Sequence, residues 1–383
     1  MKDVLVICPQ ARDLRLARSD GYRVRLAGPD LDAVDVDVDT LLEELAAEPA
    51  DGVVGTKDRS ALVAALLAER RGLPGPKPAA IVSCQHKPTS REIQRRVAAD
   101  STPRFALPGA SPAFPGPWWA KPVVGRLSQE ARRVEDGAAL AALAEEPDYR
   151  DAYAELAGLS RDDVRGFLVE ELLAGDEVTL EGFVRGGGVT TIGVTDSVKY
   201  PRTNSFERFE YPSALPPDRL GELDELARTL VPAHGLDDCF FNIEFFVPAT
   251  GPAKIVELNP RIASQFAPLV EAVHGRSTYD VLFAVACGDD PRWAGDGPRG
   301  VAISYVVRVF EDAFVAGVPD REDGLEILVR PGLRLSEQGA NDTASYRLAL
   351  FTEWGETRED AVRRCRERAR ALRFELGRGA PRR

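Results

Sequence analysis

The chain has 383 residues, 44% of them hydrophobic and 29% charged, the balance of a soluble globular protein of about two to four domains or subdomains. Sixty-one acidic residues against 49 basic ones give a net charge of −12, which argues against nonspecific nucleic-acid binding but not against a local basic pocket for phosphates. Five scattered cysteines without a CxxC pair, and only three histidines, argue against a zinc site or a disulfide framework and fit a reducing cytoplasm. Met1-Lys2-Asp3 leads straight into a strand-like run, so no signal peptide is expected, and no apolar stretch is long enough for a membrane span.

In chain order, DVLVICP and YRVRLAGP read as strands, TLLEELAAEP as a helix, ADGVVGT as a strand and SALVAALLAERRG as a helix. Ser60 is the expected N-cap of that last helix and Gly72 its C-cap. Strands alternating with helices predict a parallel sheet, and no GxGxxG follows a strand here. LPGPKP (73–78) is a boundary. A helix is expected around 89–98, strands at RFAL and WWAKPVV, and a helical stretch over roughly 136–160. FLVEELL, EVTLEGFVR and VTTIGVTDS read as an antiparallel meander with GGG as a turn. LGELDELARTLVPAHG reads as a helix, and CFFNIEFFV pairs with AKIVELN through PATGPA. From about Pro298, VAISYVVRVF and LEILV are strand-like. A final helix starts at Thr357, which with Asp360 forms a capping box, and Ala361, Cys365, Ala369 and Leu372 give it one apolar face.

Four stretches carry chemistry. In KIVELNPRIASQF, Glu257, Asn259 and Arg261 alternate with apolar residues and so share one strand face. The partner strand presents Asn242 and Glu244 from between Phe241, Ile243 and Phe245. Two carboxylates and a carboxamide are either hard oxygen donors suited to Mg²⁺ on a nucleotide or merely the polar residues of a solvated sheet face; without a cation the carboxylates repel one another. In WWAKPVVGRLSQEARRV, Lys121 ends an apolar strand before a loop. It either reaches a phosphate as a point charge or snorkels to water. Gly125 and Ser128 can turn backbone N–H groups towards phosphate oxygens. In FLVEELLAGDEVTLEGF, the strand end at Glu170-Glu171 offers backbone groups to an adenine and Glu177 accepts from a ribose, unless the segment is a surface-charged connection. In QHKPTSREIQRRV, Lys87 opens a helix with Arg91, Arg95 and Arg96, and a solvated basic face is the reading for Arg95 and Arg96.

In this order the four motifs resemble the ATP-grasp superfamily over about residues 79–290. The pattern is a lysine opening a helix (His86-Lys87), then Lys121, Pro122, Gly125, Ser128 and Val134. A hinge of Val169, Glu170, Glu171, Leu173, Gly175, Glu177 and Thr179 follows. Asn242 and Glu244, then Glu257, Asn259, Pro260 and Arg261, complete it. The implied fold is α/β and α+β: an N-terminal parallel α/β domain (1–78), a two-part ATP-grasp core (79–165 and 166–296) and a small C-terminal α+β lid (297–383). The resemblance implies that Lys87 and Lys121 contact ATP phosphates. Glu170 and the backbone at Glu171 and Leu173 would hold adenine, and Glu177 ribose. Glu244, Glu257 and Asn259 would carry two Mg²⁺ ions, replaceable by Mn²⁺. Arg261 would steady a phosphorylated intermediate, with Lys199 and Arg202 facing the γ-phosphate or the acceptor. Two departures are His86 where the family often has an acid, and a loop after Lys121 with Leu127 and Glu130 where small residues are common.

The activity implied is an ADP-forming carboxylate–amine ligase acting through an acyl phosphate on amino acids or a small biosynthetic carboxylate. Such a site needs no side-chain nucleophile, in keeping with the lack of a Ser-His-Asp pattern. The alternatives are a carboxylase using bicarbonate and a non-catalytic nucleotide-binding module. The expected partners are small molecules and, by analogy, a second copy in a homodimer, with no nucleic acid and no membrane.

Overall fold

A computed structural model describes residues 1–31, 36–125, 131–143, 148–293, 297–338, 341–342 and 345–377. The chain divides into two compact units, one of Met1–Gly193, Leu215–Ser264 and Thr278–Trp293, the other of Val194–Ala214, Gln265–Ser277 and Ala294–Arg383. It has a parallel N-terminal sheet and a large antiparallel sheet.

In the first unit, strand Lys2–Ile7 lies between Tyr22–Ala27 and Gly52–Val54, all parallel. Val4 to Ile7 are fully buried, which is why this strand is an unbroken apolar run. Helix Asp58–Arg71 follows, and Gly72 closes it in the left-handed region at φ 66°. The helix starts earlier than expected. Ser60 stands inside the first turn, where its hydroxyl accepts from the Lys57 N–H at 3.0 Å, so Asp58 opens the helix and Ser60 is not its N-cap.

Two further expectations are corrected in this unit. The helical stretch over 136–160 is two helices, Gly137–Ala141 and Asp148–Ala157. The meander is also divided. Strand Phe167–Glu171 does not pair with Asp176–Arg185; it lies antiparallel to Trp118–Pro122 and Phe105–Ala106 in a four-stranded sheet. Asp176–Arg185 instead pairs with Cys239–Val247, which pairs in turn with Lys254–Asn259. Leu172 to Gly175 form the crossing between the two sheets. Strand Gly188–Lys199 begins in this unit and ends in the second.

Along Cys239–Val247, Phe241, Ile243 and Phe245 are fully buried in the core. The period-2 alternation then turns Asn242 and Glu244 to the opposite face. In the second unit, strands Phe206–Tyr211, Val301–Val309, Ser345–Gly355 and Leu325–Ile327 follow one another across the sheet. Helix Arg358–Ala371 packs on them through Ala361 and Cys365, joined by Ile303, Tyr305, Ala349 and Phe351 in one core. Thr357 caps that helix by accepting from the Asp360 N–H at 3.2 Å. Among the described residues, no helix is long and apolar enough to cross a membrane.

Gly175, in the crossing, has φ 128°, and a Cβ there would stand 2.4 Å from the Val247 carbonyl oxygen. Gly175→Ala therefore meets both backbone strain and a backbone clash, and is expected to lower unfolding free energy by about 2–3 kcal/mol in chemical denaturation. An unchanged denaturation midpoint would contradict this account of the crossing.

Candidate active site

The register of the hairpin builds the centre of the site. Glu244 lies opposite Glu257, and Asn242 opposite Asn259. On the next strand Thr179 stands beside Glu244 and Glu181 beside Asn242. Three adjacent strands thus present two polar rows on one face. The Asn259 amide nitrogen donates to Asn242 Oδ1 at 3.1 Å and to Glu244 Oε1 at 3.3 Å, which turns its carbonyl oxygen the other way. Burial pushes Glu244 up to about 8, and the facing Glu257 and nearby Glu177 add repulsion, against the pull of Arg261 and Lys121.

Two lysines border these carboxylates. Lys87 opens helix Lys87–Val97, and its Nζ lies 3.4 Å from Glu257 Oε1 and 3.4 Å from the Gly125 carbonyl oxygen. His86 caps this helix, its ring nitrogen accepting from the Thr89 N–H at 3.4 Å. That is the work an acid would do at the same position. Lys121 is the last residue but one of strand Trp118–Pro122; its Nζ lies 2.9 Å from Glu170 Oε2 and donates to the Val256 carbonyl at 3.3 Å.

Glu170 is where the structure departs most from expectation. Its side chain is 1% exposed and lies between Lys121 and Arg91, whose Nε donates to it at 2.5 Å. Burial alone would raise its pKa, yet the two cations hold it at about 2. The Glu170 carboxylate is therefore not presented to a base; it fixes Lys121. Its neighbour Glu171 pairs with Arg104 at 2.7 Å, and the Glu171 N–H donates to the Arg104 carbonyl at 3.0 Å. Leu173 is half-buried just beyond the strand end, and Glu177 is half-buried on the next strand.

Arg261 follows the hairpin, and its Nε donates to Asp58 Oδ1 at 2.5 Å. Asn242 donates to the Arg261 carbonyl at 2.9 Å, and Glu181 accepts from the Ala263 N–H at 3.1 Å. These two bonds hold the turn that carries the guanidinium.

The first unit thus brings together Lys87, Lys121, Glu170, Glu244, Glu257, Asn259 and Arg261, with Glu177 near enough to bear on Glu244. Lys199 and Arg202 belong to the second unit. There the Lys199 ammonium lies 5.5 Å above the Phe206 ring, and Arg202 is exposed with φ 62°. Ser128 lies outside the described residues. Arg91 was named in the sequence without a role, and Glu181 and Asp58 were missed. Arg91 is one turn from Lys87 and so on the same helix face. Glu181 continues the alternation of Glu177 and Thr179. Asp58 had no local signal.

The donor set fits a hard divalent cation: two facing carboxylates, one of them pushed up to about 8 by burial and by the other's charge, beside a carboxamide oxygen. Among the described residues, no group of three or more His, Cys, Asp or Glu side chains forms a metal cluster. Two carboxylates leave coordination positions for a nucleotide's phosphates and water.

Residues 114–268 match the family model for the ATP-grasp domain. Carnosine synthase 1 of Gallus gallus is 28% identical over 262 residues, 63% of this chain, and the chain spans 28% of the length of that relative. An L-amino acid ligase from Bacillus licheniformis superposes with a TM-score of 0.73 at 18% identity, covering 98% of both chains. The biotin carboxylase domain of the Hydrogenobacter thermophilus 2-oxoglutarate carboxylase does so with a TM-score of 0.71 at 17% identity, covering 98% of this chain and 91% of that one.

Glu181 supplies a test of the local electrostatics. It is 2% exposed, and burial pushes it up to about 8 against the pull of the Ala263 N–H and Arg261. The folded protein then keeps a proton that the unfolded chain has released, so this group makes stability fall as pH rises from about 4.5 to about 8. Glu181→Gln keeps an acceptor for the Ala263 N–H and is expected to flatten that part of the profile. Urea denaturation from pH 5 to 9 without nucleotide or divalent cation measures it; an unaltered slope would refute the assignment.

Proposed function

We propose that this protein, whose residues 114–268 are an ATP-grasp domain, is an ATP-dependent carboxylate–amine ligase that releases ADP and phosphate. The observation that carries the reading is the facing pair Glu244 and Glu257 with Asn259, bordered by Lys87, Lys121 and Arg261. Opposed carboxylates between cations are the arrangement needed to hold a metal–nucleotide. In this reading Glu244, Glu257 and Asn259 hold two Mg²⁺ ions, which when bound neutralise the charge on the phosphates. Lys121 and Lys87 bind phosphate oxygens, the backbone at Glu171 and Leu173 meets the adenine, and Glu177 accepts from the ribose.

The γ-phosphoryl group leaves ADP and joins a carboxylate oxygen, giving an acyl phosphate. The amine nitrogen then attacks the acyl carbon. The C–N bond forms, the C–O bond to phosphate breaks, and the amine loses a proton as phosphate departs. Arg261, held by Asp58, steadies the phosphorylated species. The protein's contribution is alignment and charge compensation rather than covalent catalysis.

The names carnosine synthase and L-amino acid ligase favour amino acids as substrates. The likeness to a biotin carboxylase domain supports bicarbonate as the second reading. A screen of ADP release over amino-acid pairs, with a bicarbonate arm lacking amino acids, separates the two. Release stimulated by an amino-acid pair supports the ligase, release by bicarbonate alone supports the carboxylase, and release by neither overturns both.

Within either reaction, Glu257→Gln is expected to lower turnover by about 10²–10³ and to leave the melting temperature without nucleotide almost unchanged. Retained turnover with a large stability loss would make Glu257 a structural residue instead.

A further inference from the structure

The second unit carries a cleft of about 370 Å³ lined by Tyr200, Glu207, Tyr305, Arg308, Arg366 and Arg370. Its volume is that of a small-molecule site, and three guanidinium groups face one carboxylate. Most of its polar groups are already committed. The Tyr200 hydroxyl donates to the Val306 carbonyl at 3.0 Å and the Tyr305 hydroxyl to Glu207 Oε1 at 3.1 Å. Glu207 is further paired with Arg208. Arg308 donates to the Phe206 carbonyl and to Ser345 Oγ, both at 2.8 Å.

Arg366 and Arg370 differ. They lie one turn apart on helix Arg358–Ala371, both exposed. Other arginines of that helix have carboxylate partners: Arg363 with Glu367 at 3.1 Å, Arg364 with Asp360 at 3.0 Å, and Arg368 with Glu322 at 2.7 Å and Glu353 at 2.8 Å. Arg366 and Arg370 have none among the described residues. Like charges at i and i+4 repel on a helix, and this chain, at net −12, has ample acids to pair with them. The helix dipole favours cations near a C-terminus, but that effect needs no concave setting and no tyrosines around it.

We propose that this cleft is a binding site for a small organic anion. A carboxylate or phosphate group is gripped by Arg366 and Arg370, and an apolar or aromatic body lies against Tyr200 and Tyr305. Guanidinium pairs suit planar and tetrahedral oxyanions because each can donate two parallel hydrogen bonds. The proposal is independent of the ligase reading, since no residue of the Glu244–Glu257 face takes part.

The test is titration of the full chain with phenyl phosphate and with benzoate, by calorimetry at low ionic strength, with ATP absent and then saturating. Saturable binding of either probe is expected, weakened at least 10-fold in the Arg366→Gln/Arg370→Gln double variant. Both positions are exposed, and circular dichroism checks that the double variant is folded. Binding of phenyl phosphate alone would make the ligand a phosphate ester, and binding of both would make it any oxyanion of this size. The proposal is overturned if neither probe binds saturably, if the double variant binds as well as the parent, or if saturating ATP abolishes binding.

Discussion

The burial of Glu170 between Arg91 and Lys121 is the constraint from which the rest of the candidate site follows. A carboxylate with 1% exposure is tolerable only while both cations stay in place, because an unpaired buried charge costs about 3–5 kcal/mol. The Val256 carbonyl accepts from both of those cations, at 2.8 Å from Arg91 and 3.3 Å from Lys121. One small knot therefore joins the helix after His86, the strand of Lys121, the strand before the crossing and the strand of Glu257. Such a knot is a poor source of net stability, since desolvation offsets most of the attraction. Its effect is geometric: Lys121 is held beside the hairpin whether or not a nucleotide is present.

The same logic extends to the other side of the hairpin. Asp58 holds the Arg261 guanidinium, while Asn242 and Glu181 hold the backbone on which it is mounted. The N-terminal parallel sheet thus contributes to the site through the first residue of the helix that follows it. In the Glu244–Glu257 pair two carboxyl groups face each other with no direct ion pair to Glu244 among the described residues. A site organised in this way stores electrostatic strain where a divalent cation relieves it, and pre-positions the positive charges that a polyphosphate needs.

How much could be read beforehand depended on range. The hairpin, its polar face, the parallel first sheet, the Gly72 stop and the Thr357 cap all follow from patterns in contiguous stretches of the chain, and the structure has each of them. The misreadings have a common cause. FLVEELL and EVTLEGFVR are adjacent, equally strand-like and separated by a turn, so local pattern joins them; Gly175 sends them to different sheets instead. Ser60 has the chemistry of an N-cap, but an earlier residue opens the helix. Glu170 was assigned by its motif to a base, yet packing turns its side chain inward.

By itself the sequence determined which side chains share a face, because strand alternation and helix period are local geometry that any tertiary context must respect. That is why Glu244, Glu257 and Asn259 could be grouped without coordinates. Only the tertiary structure decided what those faces meet: Arg91 with Glu170 across 79 residues, Lys121 with Val256 across 135, and Arg261 with Asp58 across 203. Polar contacts at such separations leave no periodic trace. The energy of an ion pair depends on distance and burial in the folded chain, and neither is encoded in the spacing of the two residues along it.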